Sequence, residues 1–134
     1  WSRRASSGCA APSMLRKLLL AALLLSAAAF AGAVRILVQT SPLAGFQYYS
    51  GKILWDEMRE GDRLVLVREP DNRHDRFAVR VEWRGTKLGY LPRSDNREVA
   101  EEMDKGTPIG ARIGRMAKDP NPWKRLRVDV YVGL

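Results

Sequence analysis

At 134 residues, with 23 basic and 15 acidic side chains and a net charge of +8, the chain suffices for one domain and no more. One cysteine, Cys9, and one histidine, His74, exclude a disulfide framework and a zinc centre. The charge is uneven: Arg3, Arg4, Arg16 and Lys17 put +4 on residues 1–33 with no acid, residues 105–134 set seven basic side chains against Asp119 and Asp129 for +5, and residues 34–104 come to −1. A basic C-terminal quarter suits a polyanionic partner as well as a solvated surface.

Residues 1–13 are small, polar and basic and read as an extension without structure. Met14 is the expected start, and Met14-Leu15-Arg16-Lys17 is a short basic segment. A Leu/Ala-rich run follows from Leu18 to Ala29, interrupted by Ser26, and both Ala29-Phe30-Ala31 and Ala31-Gly32-Ala33 obey the small-x-small cleavage rule. This order predicts that residues 1–33 comprise an extension and a secretory signal peptide cut near Ala31 or Ala33. The mature protein is then periplasmic or secreted, with no stable membrane insertion. The alternative is a membrane anchor through residues 18–34, a run slightly short of the ~20 residues of a spanning helix.

The folded domain is expected over residues 34–134. Ile36-Leu37-Val38 predicts a buried strand, and Pro42 to Gly51 an irregular stretch holding the adjacent Tyr48 and Tyr49. Ile53 to Arg59 predicts a helical turn with Leu54, Trp55 and Met58 inward. Gly61-Asp62 turns into the apolar run that ends at Arg68. Phe77, Val79 and Val81 share one strand face, which Trp83 continues; Trp83-Arg84-Gly85 is a tight turn, and Lys87 to Leu91 is the next strand. Ser94 or Asp95 is placed to cap a helix, with Glu98 completing a capping box from Asp95. Val99, Ala100 and Met103 form its inner stripe and Gly106 its end. Ile109, Ala111 and Ile113 alternate on a strand, Asp119-Pro120-Asn121-Pro122 is a stiff connection, and Leu126, Val128, Val130 and Val132 alternate on the last strand. The sum is a mainly β domain of five or six strands with one or two short helices, for which a small antiparallel barrel removes exposed edges.

Two blocks carry most of the information. Arg68-Glu69-Pro70-Asp71-Asn72-Arg73-His74-Asp75 is longer and more polar than a plain turn requires, and Asp71, Asn72 and Asp75 can each bind backbone N–H groups and fix its shape. Gly89-Tyr90-Leu91-Pro92-Arg93 follows. Together with Ala78-Val79, Gly61-Asp62 and Tyr48-Tyr49-Ser50-Gly51, these blocks resemble the HIRAN domain over roughly residues 35 to 132. The resemblance implies an OB-like barrel and binding of single-stranded DNA, with capture of a free 3′-hydroxyl end best described in a fork-remodelling protein. It also implies roles by motif position. Asp75 accepts a hydrogen bond from the terminal hydroxyl, Tyr48 contacts the terminal nucleotide from the Tyr-Tyr-x-Gly block, in which Tyr49 is a further nucleic-acid-binding candidate, and Asn72 contacts the same nucleotide. Arg93 takes a phosphate, and Trp123 is the aromatic before the last strand. Two positions depart from the end-binding pattern: Gln47 stands where that pattern has arginine, and His74 where it has an aromatic, although His74 still offers a flat ring.

The bland reading of each residue stays beside the functional one. Asp75 also suits a loop brace, Tyr90 and Trp83 core positions, and Arg93 an ordinary surface charge. Catalysis finds no support, because Ser50 and Ser94 lack a nucleophile motif and adjacent His74 and Asp75 seldom face each other productively. No cofactor is implied, and the loop lacks the oxygen spacing of a calcium site. The expectation is a non-catalytic nucleic-acid-binding module, for single-stranded DNA or its 3′-hydroxyl end. The rival is an exported periplasmic interaction module that binds a protein partner or another polyanion and has no nucleic-acid role.

Overall fold

The computed structural model describes residues 34–133; the expected extension and signal peptide lie outside them. Six strands form one antiparallel sheet: β1 (Arg35–Pro42), β2 (Arg63–Arg68), β3 (Val79–Trp83), β4 (Thr86–Tyr90), β5 (Ile109–Met116) and β6 (Leu126–Gly133). Two short helices, α1 (Gly51–Leu54) and α2 (Arg97–Asp104), and 3₁₀ turns at Phe46–Tyr48 and Pro122–Lys124 complete the described residues. The fold is mainly β, as the alternating patterns predict.

Strand order is β1-β6-β5-β2-β3-β4. The inward set follows from period-two alternation: Val79, Val81 and Trp83 on β3, Leu88 on β4, Ala111 and Ile113 on β5, and Leu126, Val128 and Val130 on β6 are all buried. Phe46, Met58 and Leu91 fill the core from the connections, and Trp55 meets Phe46 edge-to-face at 5.8 Å. Gly51 lies so close to the Phe46 ring that a Cβ there would overlap it, which explains the glycine after Tyr48-Tyr49-Ser50.

Three expectations need correction. The sheet does not close into a barrel, because β1 and β4 remain edges. One bridge spans them just past the end of β1, with Ala44 and Tyr90 exchanging N–H···O bonds of 2.9 and 3.0 Å. Secondly, Ile36, Leu37 and Val38 are about half exposed, not buried. A continuous apolar run suggests cover on both faces, but this strand is an edge, and its register against β6 shifts between Leu37 and Gln39. Thirdly, the N-cap of α2 is Asn96, and no side chain caps the helix; the Asn96 amide is engaged elsewhere. The inner stripe of α2 is as expected, with Val99 and Ala100 buried and Met103 packed against the core.

Candidate functional site

The connection between β2 and β3 is shaped by its own side chains. The Arg68 guanidinium donates to the carbonyls of Arg76 (2.6 Å) and Ala78 (3.1 Å) and pairs with Asp104 of α2 at 3.1 Å. Glu69 accepts from the Asn72 amide at 3.0 Å, the Tyr90 hydroxyl at 3.0 Å and Arg80 at 2.9 Å. The Asn72 Oδ1 accepts the N–H groups of His74 (2.9 Å) and Asp75 (3.2 Å), the Asx geometry expected of such a loop. Asp75 Oδ1 then accepts the Phe77 N–H at 2.9 Å, while Oδ2 accepts from the Asn96 amide at 2.6 Å. Asn96 is only 2% exposed, so this charge-assisted bond is sheltered from water.

Opposite the loop stands the end of β4. Gly89 has φ 159, and a Cβ there would collide with the Ala44 carbonyl oxygen, so the Ala44–Tyr90 bridge demands glycine. Tyr90, read from the sequence as core, is half-buried and keeps its hydroxyl in a relay: Lys87 Nζ donates to it at 2.7 Å, and it donates to Glu69. The Lys87 ammonium also sits over the rings of Tyr49 (4.2 Å) and Tyr90 (4.4 Å). Burial works against the Lys87 charge, but the Tyr90 and Tyr49 hydroxyls beside it prevail and hold its pKa above the ordinary 10.5. Burial likewise pushes the Glu69 carboxyl up. The hydrogen bonds from Asn72 and Tyr90 and the charges of Arg80 and Lys87 outweigh it, and the pKa lies below the ordinary 4.5.

Between loop and strand lies a cavity of about 260 Å³ walled by Tyr49, Asn72, His74, Asp75, Tyr90 and Arg93, with Ala44, Ala78 and Leu91 beneath. It gathers five of the seven predicted site residues. Tyr48 and Trp123 stand apart, 79% and 49% exposed. Tyr48 is the last residue of the 3₁₀ turn and is exposed, whereas Tyr49 follows it with extended backbone and lines the cavity. Trp123 sits in the Pro122–Lys124 turn, whose start is fixed by the Asn121 side chain accepting the Trp123 N–H. Arg93 reaches back to the His74 carbonyl and comes within 4.0 Å of Asp75, yet its side chain is 71% exposed. A larger cavity of about 430 Å³ beside Trp55, Lys52 and Lys118 contains none of the predicted residues.

Chemically the pocket combines two tyrosine walls, a cation poised at its mouth, and one carboxylate. Two loop and helix donors already bind that carboxylate, which has about four acceptor sites, so room remains for a ligand hydroxyl. His74 is exposed and has no nucleophile beside it in the pocket. The described residues hold no group of three His, Cys, Asp or Glu side chains placed to bind a metal. Lys87 and Asn96 escaped the sequence reading. Asn96 gave one signal, because Ser94-Asp95-Asn96 offers three N-cap types in a row, but nothing marked it as the partner of Asp75.

A family model described as HIRAN domain matches residues 36–134. No curated protein matches the chain. Among solved structures, a protein from Lactobacillus plantarum is similar with a TM-score of 0.64 and 24% identity, over 74% of this chain and 95% of that one. The HIRAN domain of human HLTF is similar with a TM-score of 0.56 and 19% identity, over 78% of this chain and 79% of that one. At these identities the two structures speak for the fold.

Proposed function

Since the chain belongs to the HIRAN domain family, a family of nucleic-acid-binding modules, we propose that it binds single-stranded DNA and reads its 3′-hydroxyl end in the pocket between the β2–β3 loop and the end of β4. One observation carries this reading. Asp75 is held by Phe77 and Asn96 with its remaining acceptor capacity facing a cavity walled by Tyr49 and Tyr90. A carboxylate fixed in this way rewards a terminal hydroxyl donor and repels a further phosphate, so it separates an end from an interior position. The tyrosines supply stacking or edge contact to the last base, and Arg93 supplies a mobile cation for the phosphate before it. Lys87 adds positive charge behind the tyrosines. The departure at Gln47 removes a phosphate contact of the end-binding pattern and that at His74 weakens its stacking face, so selectivity rests on Asp75.

The test is a titration of the full chain with labelled single strands that differ only in 3′-hydroxyl or 3′-phosphate, beside duplex DNA. The hydroxyl strand is expected to bind best. Equal affinity for both ends would remove the end-reading role, and no binding to any strand would remove the nucleic-acid role.

A further inference from the structure

The outer face of β2, β5 and β6 sets arginine against arginine. Arg63 of β2 stands directly across from Arg112 of β5, and Arg115 of β5 across from Arg127 of β6. All four are exposed, and among the described residues none has an ion-pair partner. Like charges directly opposite on neighbouring strands are destabilising. The fold does not require them, since packing of these strands is carried by the inward residues Leu64, Ala111, Ile113 and Val128. The one acid of the three strands, Asp129, lies across from Arg112 but accepts the Thr40 hydroxyl at 2.8 Å.

At one end of this face is a cavity of about 230 Å³, with Gly110 in its floor, Tyr131 across from that glycine, and Arg35 and Arg63 at its rim. Gly110 does not have a positive φ, and a Cβ there would meet nothing within 4 Å. Neither backbone nor packing calls for glycine at this position. Its bareness instead leaves a recess beside an aromatic ring and next to two cations. None of these residues lines the Asp75 pocket.

We propose that this face is a second contact track for a single-stranded nucleic acid: Arg63, Arg112, Arg115 and Arg127 take phosphates, and Tyr131 stacks a base over the Gly110 floor. The nucleic-acid identity of the occupant rests on the function proposed above; the anion track rests on the arginines alone. Phosphates between opposed arginines turn an electrostatic penalty into binding energy. A base-sized recess among the cations favours an unstacked strand over a duplex, whose bases are turned inward.

The full chain is titrated at low salt with 3′-hydroxyl strands of about four and about twenty nucleotides, lengths bracketing a single OB-type site. Arg63→Glu/Arg127→Glu is expected to weaken the long strand at least about tenfold and to flatten its salt dependence by one to two units of log K against log salt. Short-strand affinity should stay at its original value. Gly110→Leu fills the recess and should weaken the long strand severalfold with the salt slope unchanged. Each introduced Glu faces an arginine, so the thermal midpoint should hold or rise, which separates lost contacts from lost fold. Unchanged long-strand affinity and slope in the charge-reversed chain would overturn the track, and an unaffected Gly110→Leu would overturn the stacking recess. Arginine-dependent binding to anionic phosphatidylglycerol vesicles, with no strand binding, would overturn the nucleic-acid assignment. If the short strand ignores its 3′ group while the long strand still responds to charge reversal, end reading fails and the track stands.

Discussion

Asp75 serves the loop and the pocket at once, and its two partners allow the roles to be separated. Asp75→Ala should erase the preference for 3′-hydroxyl over 3′-phosphate and cost the hydroxyl strand on the order of 1.5–3 kcal/mol, the worth of a hydrogen bond to a charged group. Asn96→Ala removes the sheltered donor at 2.6 Å but leaves the carboxylate in place. It should lower stability by about 1.5–3 kcal/mol, several degrees in thermal midpoint for each kcal/mol in a domain of this size, while keeping the end preference. If both variants weaken hydroxyl and phosphate strands in parallel with a lower midpoint, Asp75 is only a brace. Glu69 adds a pH signature. Its folded pKa lies below the ordinary 4.5, so its contribution is complete above that value and is lost as pH falls through the lowered folded pKa. Glu69→Gln should therefore show a shallower decline of thermal midpoint on acidification below about pH 4.5 than the parent protein. An identical acid limb in both would show that the Asn72–Glu69–Tyr90 network does not couple to stability.

Among the elements, the seam between β4 and the end of β1 decides whether the pocket exists, because Ala44 and Tyr90 line it and also form the bridge that spans the open sheet. Gly89→Ala drives a methyl against the Ala44 carbonyl, a backbone atom that cannot swing away. The bridge should open or β4 shift, at about 1–3 kcal/mol of stability, the usual cost of overpacking. Strand affinity should fall even though Gly89 touches no ligand. A variant with parent-like melting and affinity would show that the seam is not needed. The Gly89-Tyr90 pair was visible in the sequence, but the reason for its glycine was not, since Ala44 lies 45 positions earlier in the chain. The same limit applies across the fold. Alternation marked β3, β5 and β6, whose inward residues are the core, because period two is a local property. The edge position of β1 and the open sheet depend on which strand finds a neighbour, and Ile36-Leu37-Val38 carries no trace of that. Loop chemistry was legible where Asx residues act on nearby N–H groups, as Asn72 and Asp75 do. It was illegible where Asn96 reaches across 21 positions.

At the scale of the whole molecule, export and binding need separate tests. We propose that residues 1–33 are removed on secretion; expression from Met14 in a Gram-negative host should give a periplasmic product beginning between Gly32 and Val34, and an uncleaved cytosolic mass would refute it. Charge partition leads to the second test. Residues 34–104, which supply every wall of the Asp75 pocket, have net charge −1, while residues 105–134 hold +5 and contribute three of the four opposed arginines. On the proposed reading, the pocket recognises an end with few phosphate contacts, and long-strand affinity depends on the other face. Each phosphate neutralised on a single strand contributes a slope of about −0.7 in log K against log salt. A short 3′-hydroxyl strand held by Arg93 alone should follow a slope near one such unit. A strand long enough to reach β5 and β6 should follow a slope of roughly three to four, and heparin should displace the long strand far more readily than the short one. Measured from low to physiological salt, the two slopes should converge only if the strand never leaves the pocket, in which case the basic C-terminal quarter is a solvated surface and not part of the binding face.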